Sequence, residues 1–499
     1  MFTSPQVALN RRLQQCGWTV RGGVAAIAAA GLLAAASASA EVPGSGSAPL
    51  LSASLQSPDT TAAASPPAGN VSDIRNRIES AAELAIAGEK LHGALLRQFY
   101  AGHNFEPVWP ARQSQAQALV NAVLRAGEHG LDPDLFHGDL LRKATALPPI
   151  ERELVLSDAV LAYADALARG AVPIEVRMDD EDLQPEPINL AATLDNAINS
   201  PDPAAAIEAL APNSPAYAAL RRALQSARSP SATAPIGGKN PGARQPSPVS
   251  AAVTNETRLR QIAVNLERLR WLPRNLPADR VWVNTATAEL TLFRADQSAF
   301  TTRVIVGQVD KQTPEFRTTI DSLLYNPPWN VPRSIITNEI GPKLSQDPGY
   351  LARHHMVMRR NGGIEQLPPS ALGQLKFEMA DRFDVYLHDT PDKHLFASAE
   401  RRRSHGCIRV QNPRELGALL LQEPVAAINK GIAPGSTNRH MLATPIPVFV
   451  VYQTAFLDSR GAVAFGPDVY QRDEEIWRHL QPLRQAPVAQ HEQPTPRRG

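Results

Sequence analysis

The sequence predicts an α+β protein in two parts, a helical N-terminal region and a mostly β C-terminal domain. Three observations carry this. Between residues 73 and 225, apolar side chains recur at helical spacing, as in Leu91, Leu95, Leu96, Phe99 and Tyr100, then Leu119, Val120, Val123 and Leu124. Residues 227–253 are rich in Pro, Gly, Ser and Ala, show no apolar period, and have a composition that does not pack. From residue 280 the period falls to two, with Val281 and Val283, Leu290 and Leu292, and Val304 and Val306 alternating with other residues.

Composition bounds the answer further. The chain has 499 residues, room for about three domains of ordinary size. With 43% hydrophobic and 20% charged residues it can bury a sizeable core. Lys plus Arg (50) nearly balances Asp plus Glu (49), so no electrostatic footprint marks nucleic acid as a partner. The 44 prolines are an excess, to be placed in linkers, turns and strand edges.

In chain order, Arg11, Arg12 and Arg21 precede an apolar run at 23–36 and the small-residue site Ala38-Ser39-Ala40. Residues 1–40 therefore read as a secretory signal peptide. An uncleaved anchor is the alternative, and the only route to membrane contact. Residues 41–72 read as a disordered tether and 73–226 as a helical domain punctuated at Gly130, Pro133 and Pro173. A linker follows at 227–254. The C-terminal domain, 255–483, opens with a helix at 255–270 that puts Leu259, Ile262, Ala263, Leu266 and Leu269 on one face. A second helix starts at Pro413. Residues 445–457 are strongly β-prone, with a hairpin partner at 462–465 across Gly461. Residues 484–499 read as a disordered tail.

Two cysteines are present, and Cys16 departs with the signal peptide. Cys407 is then a single thiol in an oxidising compartment, either buried and inert or kept for reactivity. Its neighbours bear on the choice. In the strand-like segment 383–390, Tyr386 and His388 share a face opposite Val385 and Leu387, and Asp389-Thr390-Pro391 ends the strand. Ser404-His405-Gly406-Cys407-Ile408-Arg409 follows, and if extended it aligns His405, Cys407 and Arg409.

A free thiol is only a few per cent thiolate near pH 7, and an imidazole within reach can take its proton. Amides at Gly406 and Cys407 are candidate oxyanion donors, and Arg409 can grip a carboxylate or brace the loop. The same atoms allow a zinc site from His388, His405 and Cys407, but the chain has neither a paired-Cys motif nor HExxH. Arg401, Arg402 and Arg403 read as a solvated charge run or as an attractor for an acidic substrate.

At these residues the sequence resembles the L,D-transpeptidases, in the long periplasmic branch with a helical scaffold ahead of the catalytic domain. Tyr386-Leu387-His388-Asp389-Thr390-Pro391 and Ser404-His405-Gly406-Cys407-Ile408-Arg409 fit the family signature without gaps. Weaker likenesses include Val306-Gly307 with Gln312-Thr313-Pro314, Asn326-Pro327 with Trp329, and His129-Gly130-Leu131-Asp132-Pro133 in the scaffold.

The resemblance implies a mostly β catalytic domain with a flap subdomain at about 340–380. It implies Cys407 as nucleophile and His388 as base, oriented by the carbonyl of Asp389. It also implies His405 and Gly406 around the oxyanion, with Tyr386, Ser404 and Arg409 as support. The implied reaction forms 3→3 crosslinks between peptidoglycan stem peptides through a cysteine thioester, releasing D-Ala, with no cofactor or metal. Carbapenem-type β-lactams are implied as covalent inhibitors and the periplasm as location.

Two departures stand out. The usual small peptidoglycan-binding module is replaced by the linker, and Glu365 and Ser370 stand where Arg and Asn are expected. Rival readings are a papain-like endopeptidase, which places Cys before His, a sortase, which separates them further, and a non-catalytic wall-binding protein. Hydrolysis or D-amino-acid exchange on the same acyl-enzyme is the nearest alternative reaction.

Overall fold

The computed structural model describes residues 69–482 apart from 81–82, 178–182, 229–247 and 381. The expected signal peptide, nearly all of the tether, most of the linker and the tail lie outside the described residues. Among the described residues no helix is long and apolar enough to cross a membrane.

The N-terminal region is helical, with one short hairpin, β1 (Ala85–Ile86) and β2 (Glu89–Lys90). Its centre is the helix Pro149–Arg169, buried along most of its length. Three polar side chains go under with it, and each finds partners. Glu153 accepts from the Tyr100 hydroxyl at 2.9 Å and the Val108 amide at 2.6 Å, Ser157 accepts from the Trp109 indole at 2.9 Å, and Asp158 accepts from the His92 amide at 2.7 Å. Local signals set the shorter helices. Asp202 caps Pro203–Glu208 by accepting from the Ala205 amide at 3.0 Å, with proline in the first turn where an N–H is dispensable.

The helix expected at 255–270 begins earlier, at Pro248, and ends at Arg270. Seven residues read as linker are thus helical, because proline opens a helix as readily as it breaks one. This helix joins the two parts. Toward the helical region, Arg270 pairs with Glu267 at 2.7 Å and donates to the Tyr217 hydroxyl and the His129 carbonyl, while Glu267 accepts from the Val172 amide at 2.9 Å. Toward the β domain, Asn265 and Thr454 exchange hydrogen bonds of 2.7 and 3.0 Å, and Arg268 pairs with Asp473 at 2.5 Å. One continuous apolar core runs from the helices through Leu266 and Leu269 to Phe449, Val451 and Leu480.

The β domain begins with β3 (Arg280–Asn284), β4 (Glu289–Arg294), β5 (Gln297–Gly307) and β6 (Phe316–Tyr325). Three short strands of a separate sheet follow: β7 (Trp329–Asn330), β8 (Met356–Met358) and β9 (Ile364–Gln366). The chain then returns through β10 (Leu375–Met379), β11 (Leu387–His388), β12 (Arg402–Ser404), β13 (Ile408–Val410) and β14 (Asn438–Val451). A last hairpin pairs β15 (Ala455–Leu457) with β16 (Val463–Phe465) across Gly461.

The main sheet has the order β12-β5-β13-β11-β10-β6-β14-β3-β4, and β4 also pairs with β5, so the sheet closes on itself. Its interior is filled by Val281, Leu290, Val304, Leu323, Phe377, Leu387, Ile408 and Val448, all fully buried. The helix Pro413–Leu421 packs into the same core through Leu416 and Leu420, with Gly417 close against Leu323 and Leu375.

The flap differs from the expected 340–380. The chain leaves the barrel after Tyr325 and returns at Leu375, and the small sheet with its own core of Val331, Ile340 and Ile364 lies between. Leu375–Met379 belongs to the barrel, where β10 pairs with both β6 and β11.

Arg270→Ala leaves the Glu267 carboxylate buried without its cation. A loss of about 3–5 kcal/mol is expected in urea unfolding of the full chain. A loss below about 1 kcal/mol would show that the joining helix is not held this way.

Candidate active site

Register builds the site. β11 and β13 pair in parallel, Leu387 with Ile408 and His388 with Arg409. The Ile408 amide donates to the Tyr386 carbonyl at 3.0 Å, which sets Cys407 beside Tyr386. Since Leu387 and Ile408 point into the barrel, strand alternation turns Tyr386, His388, Cys407 and Arg409 to the other face. The Tyr386 and His388 rings meet edge to face, with centroids 5.6 Å apart.

Cys407 is partly exposed, so the inert-core reading of this thiol does not hold. Its Sγ is 3.8 Å from the Asp384 carbonyl, and the Tyr386 hydroxyl is hydrogen-bonded to both Cys407 and Trp329. Burial and the neighbouring Cys407 push the Tyr386 phenol well above its ordinary range, so it stays a neutral donor.

His388 is buried, and its Nδ1 donates to the Asp389 carbonyl at 2.5 Å. A carbonyl can only accept, so Nδ1 carries the hydrogen and Nε2 of the neutral ring keeps the lone pair. Burial and the Arg409 charge push His388 down to about 4, against the opposing pull of the Asp389 and Leu372 carbonyls. The resting ring is therefore neutral, and a standing imidazolium is disfavoured.

Asp389 does two things. Its carbonyl holds His388, while its carboxylate pairs with Lys393 and accepts from the Gln374 amide at 2.9 Å. Gly373 makes this possible. It has φ +67° and a Cβ there would lie 2.6 Å from the Asp389 side chain.

The loop before Cys407 is not extended. Gly406 has φ +116°, which breaks the expected alignment of His405 with Cys407 and Arg409. His405 turns instead to Glu339 in the flap, at 2.6 Å. Ser404 clamps the loop, donating to the Cys407 carbonyl at 2.6 Å and accepting from the Gly406 amide at 3.2 Å. The Gly406 amide is thus spent inside the loop, a correction to its expected place around an oxyanion. The Thr313 hydroxyl donates to the Gly406 carbonyl at 2.7 Å and ties the loop to the end of β5.

Arg409 reaches Asp392 at 3.7 Å. Among the described residues no group of three or more His, Cys, Asp or Glu side chains is arranged to hold a metal ion. Glu365 pairs with Arg359, and Ser370 donates to the Pro327 carbonyl at 2.7 Å. Both departures in the flap sequence are thus satisfied locally.

Sequence reasoning missed Glu339, and Lys376, whose Nζ lies 4.3 Å from the Tyr386 ring centroid. Both meet the site only through long-range folding. Lys376 arrives by the β10–β11 register, which sets it opposite His388 and joins segments that no local pattern links.

Two outcomes follow from this geometry. Folded His388 stays neutral down to about pH 4, whereas an ordinary imidazole protonates near 6.5. Unfolding therefore takes up a proton between those values, and stability falls as pH drops through that window, by about 3 kcal/mol from this group. His388→Asn should flatten that part of the profile in denaturant titrations, and an unchanged slope would contradict the assignment. Gly373→Ala should cost about 1–3 kcal/mol in the same measurement, from positive φ and the collision with Asp389; a neutral result would count against this close packing of Gly373 on Asp389.

Comparison with known proteins agrees with this architecture. Residues 278–427 match the family model of the L,D-transpeptidase catalytic domain, and residues 94–224 match that of a Scaffold domain. A protein of Haemophilus influenzae described as a putative L,D-transpeptidase is 30% identical over 257 residues, 46% of this chain and 52% of that protein. The chain thus spans about half the length of the curated relative it matches.

Similar solved structures include the catalytic domain of an Enterococcus faecium L,D-transpeptidase acylated by ertapenem. It is 13% identical and covers 36% of this chain and 99% of that one, with a TM-score of 0.21. An L,D-transpeptidase from Mycobacterium smegmatis is 14% identical over 35% of this chain and 58% of that one, also with a TM-score of 0.21. The chain thus carries a region similar to the L,D-transpeptidase catalytic domain, with a region similar to a Scaffold domain ahead of it.

Proposed function

We propose that this protein is a peptidoglycan L,D-transpeptidase acting outside the cytoplasm, with Cys407 as nucleophile and His388 as general base. The observation that supports this best is the β11–β13 register, which sets a partly exposed thiol on the same face as a buried, neutral imidazole. The family match supplies the reaction class.

In this reading the donor is a tetrapeptide stem. The Cys407 thiol turns from Asp384 toward His388 and passes its proton to Nε2 as sulfur attacks the carbonyl of the third residue. His388 need not hold that proton at rest. It carries it only while the negative charge moves to sulfur and then to the tetrahedral oxygen. Each backbone or side-chain donor to that oxygen contributes about 3–4 kcal/mol in comparable acyl transfers. The Tyr386 hydroxyl is a neutral donor already in contact with Cys407.

Collapse of the intermediate returns the proton from His388 to the departing D-Ala amine and leaves a thioester. The thioester conserves the free energy of the broken amide, so no nucleotide is needed. An amine of a second stem then attacks it, forming the 3→3 crosslink and freeing the thiol.

Incubating the full chain with disaccharide-tetrapeptides and analysing products by mass tests this. Crosslinked dimers are expected from the wild type and none from Cys407→Ala. Trimmed tripeptides alone would make the enzyme a carboxypeptidase, and no change would favour a wall-binding protein. A carbapenem should add its mass to the wild type only, because the thiol opens the strained lactam to a covalent acyl-enzyme. Equal labelling of Cys407→Ala would remove the nucleophile assignment.

A further inference from the structure

Glu339 has no part in the chemistry described so far. It lies in a short π-helical turn of the flap, Ile336–Ile340, a form of helix that is rare and often found at functional sites. Its carboxylate is 2.6 Å from His405 Nε2 and 3.9 Å from Lys311 Nζ. All three side chains are partly open to solvent, at 38%, 32% and 40% exposure. Gly406 divides the loop, so that Cys407 faces Tyr386 while His405, two residues earlier, faces the flap. A carboxylate–imidazole pair thus stands on the flap side of the loop, two residues along the chain from Cys407 and apart from buried His388.

We propose that Glu339 and His405 form the acceptor site, where the carboxylate binds the ammonium group of the incoming stem and the pair takes the proton that group must shed. This rests on the transpeptidase reading above and names the part of the site that selects amine over water. Proton balance requires such a group. A side-chain primary amine has a pKa near 10 and arrives as an ammonium ion.

Turning thioester plus ammonium into amide plus thiol releases one proton beyond the one that restores the thiol. The C–N bond forms, the C–S bond breaks, and His388 takes the second proton from nitrogen and gives it to sulfur. The first proton, lost before nitrogen can attack, goes to the Glu339–His405 pair and from there to solvent. Water brings neither a positive charge nor that surplus proton, so the carboxylate favours the amine. Lys311, at 3.9 Å, is the cation the substrate ammonium displaces.

The test uses the full chain with disaccharide-tetrapeptide, comparing wild type, Glu339→Gln, Glu339→Asp and His405→Gln. The readout is the ratio of crosslinked dimer to hydrolysed tripeptide, with a simple diamine titrated as alternative acceptor. Glu339→Gln should lower the ratio about tenfold, the scale of one charge-assisted hydrogen bond. It should also raise the amine concentration needed for half-maximal aminolysis. Glu339→Asp should recover most of the ratio, and His405→Gln should lower it less.

An unchanged ratio in Glu339→Gln overturns the proposal. So does an equal loss of both products, which would make the contact a latch on the flap. Should Glu339→Gln fail to fold, the His405→Gln ratio decides in the same sense. A wild type that forms neither product overturns the transpeptidase reading itself, a failure visible before any variant is made.

Discussion

Two residue pairs between short parallel strands hold the site together. Leu387 beside Ile408 and His388 beside Arg409 fix which side chains enter the barrel and which emerge from it. A slip of one residue would bury His388 in hydrocarbon and expose Leu387. The aliphatic partners make that slip costly, since each buried side chain of this size contributes about 1.5–3 kcal/mol. The strands can be short because neighbours brace both sides. β10 pairs with β11 through Lys376 and His388, and β5 pairs with β13 through Ile305 and Arg409.

Around this frame several polar groups are tied through the backbone. Asp389 holds His388 through its carbonyl, Ser404 locks the turn at Gly406, and Thr313 anchors that turn to β5. Each such bond is modest in net stability, about 1 kcal/mol, but leaving its buried partner unsatisfied costs more. The result is a buried, braced seat for His388 on the strand face that also carries the partly exposed Cys407. The helical region is seated with similar care. The joining helix carries a desolvated ion pair of its own, Arg270 with Glu267, whose remaining hydrogen bonds reach Tyr217, His129 and Val172, and a second that crosses to the β domain, Arg268 with Asp473.

Much of this was legible in the sequence. Alternation at Val281, Leu290 and Val304 located the barrel strands, and Tyr386 with His388 announced a polar face beside an aliphatic one. The helix at Pro413 and the hairpin across Gly461 followed from Pro and Gly chemistry. What failed to show was long-range. Nothing near His405 says that it meets Glu339, because the flap that carries Glu339 folds separately around Val331, Ile340 and Ile364. The flap limits were misplaced because Leu375 and Phe377 read as well for a flap strand as for a barrel strand. Extending the loop straight through Gly406 was wrong because a glycine at positive φ turns the chain without any periodic signal. Pro248 misled in the opposite sense, opening a helix where a linker was expected.

The central claim is that a neutral, buried imidazole serves the Cys407 thiol. Its most direct measurement is the rate of Cys407 alkylation by iodoacetamide across pH 5 to 9, followed on the peptide containing that residue, in wild type and His388→Asn. The account predicts that neutral His388 takes the proton as sulfur attacks, so the wild type reacts faster than the variant between pH 5 and 8, while the variant follows the ionisation of an ordinary thiol near 8.5. Superimposable profiles for the two proteins would contradict it.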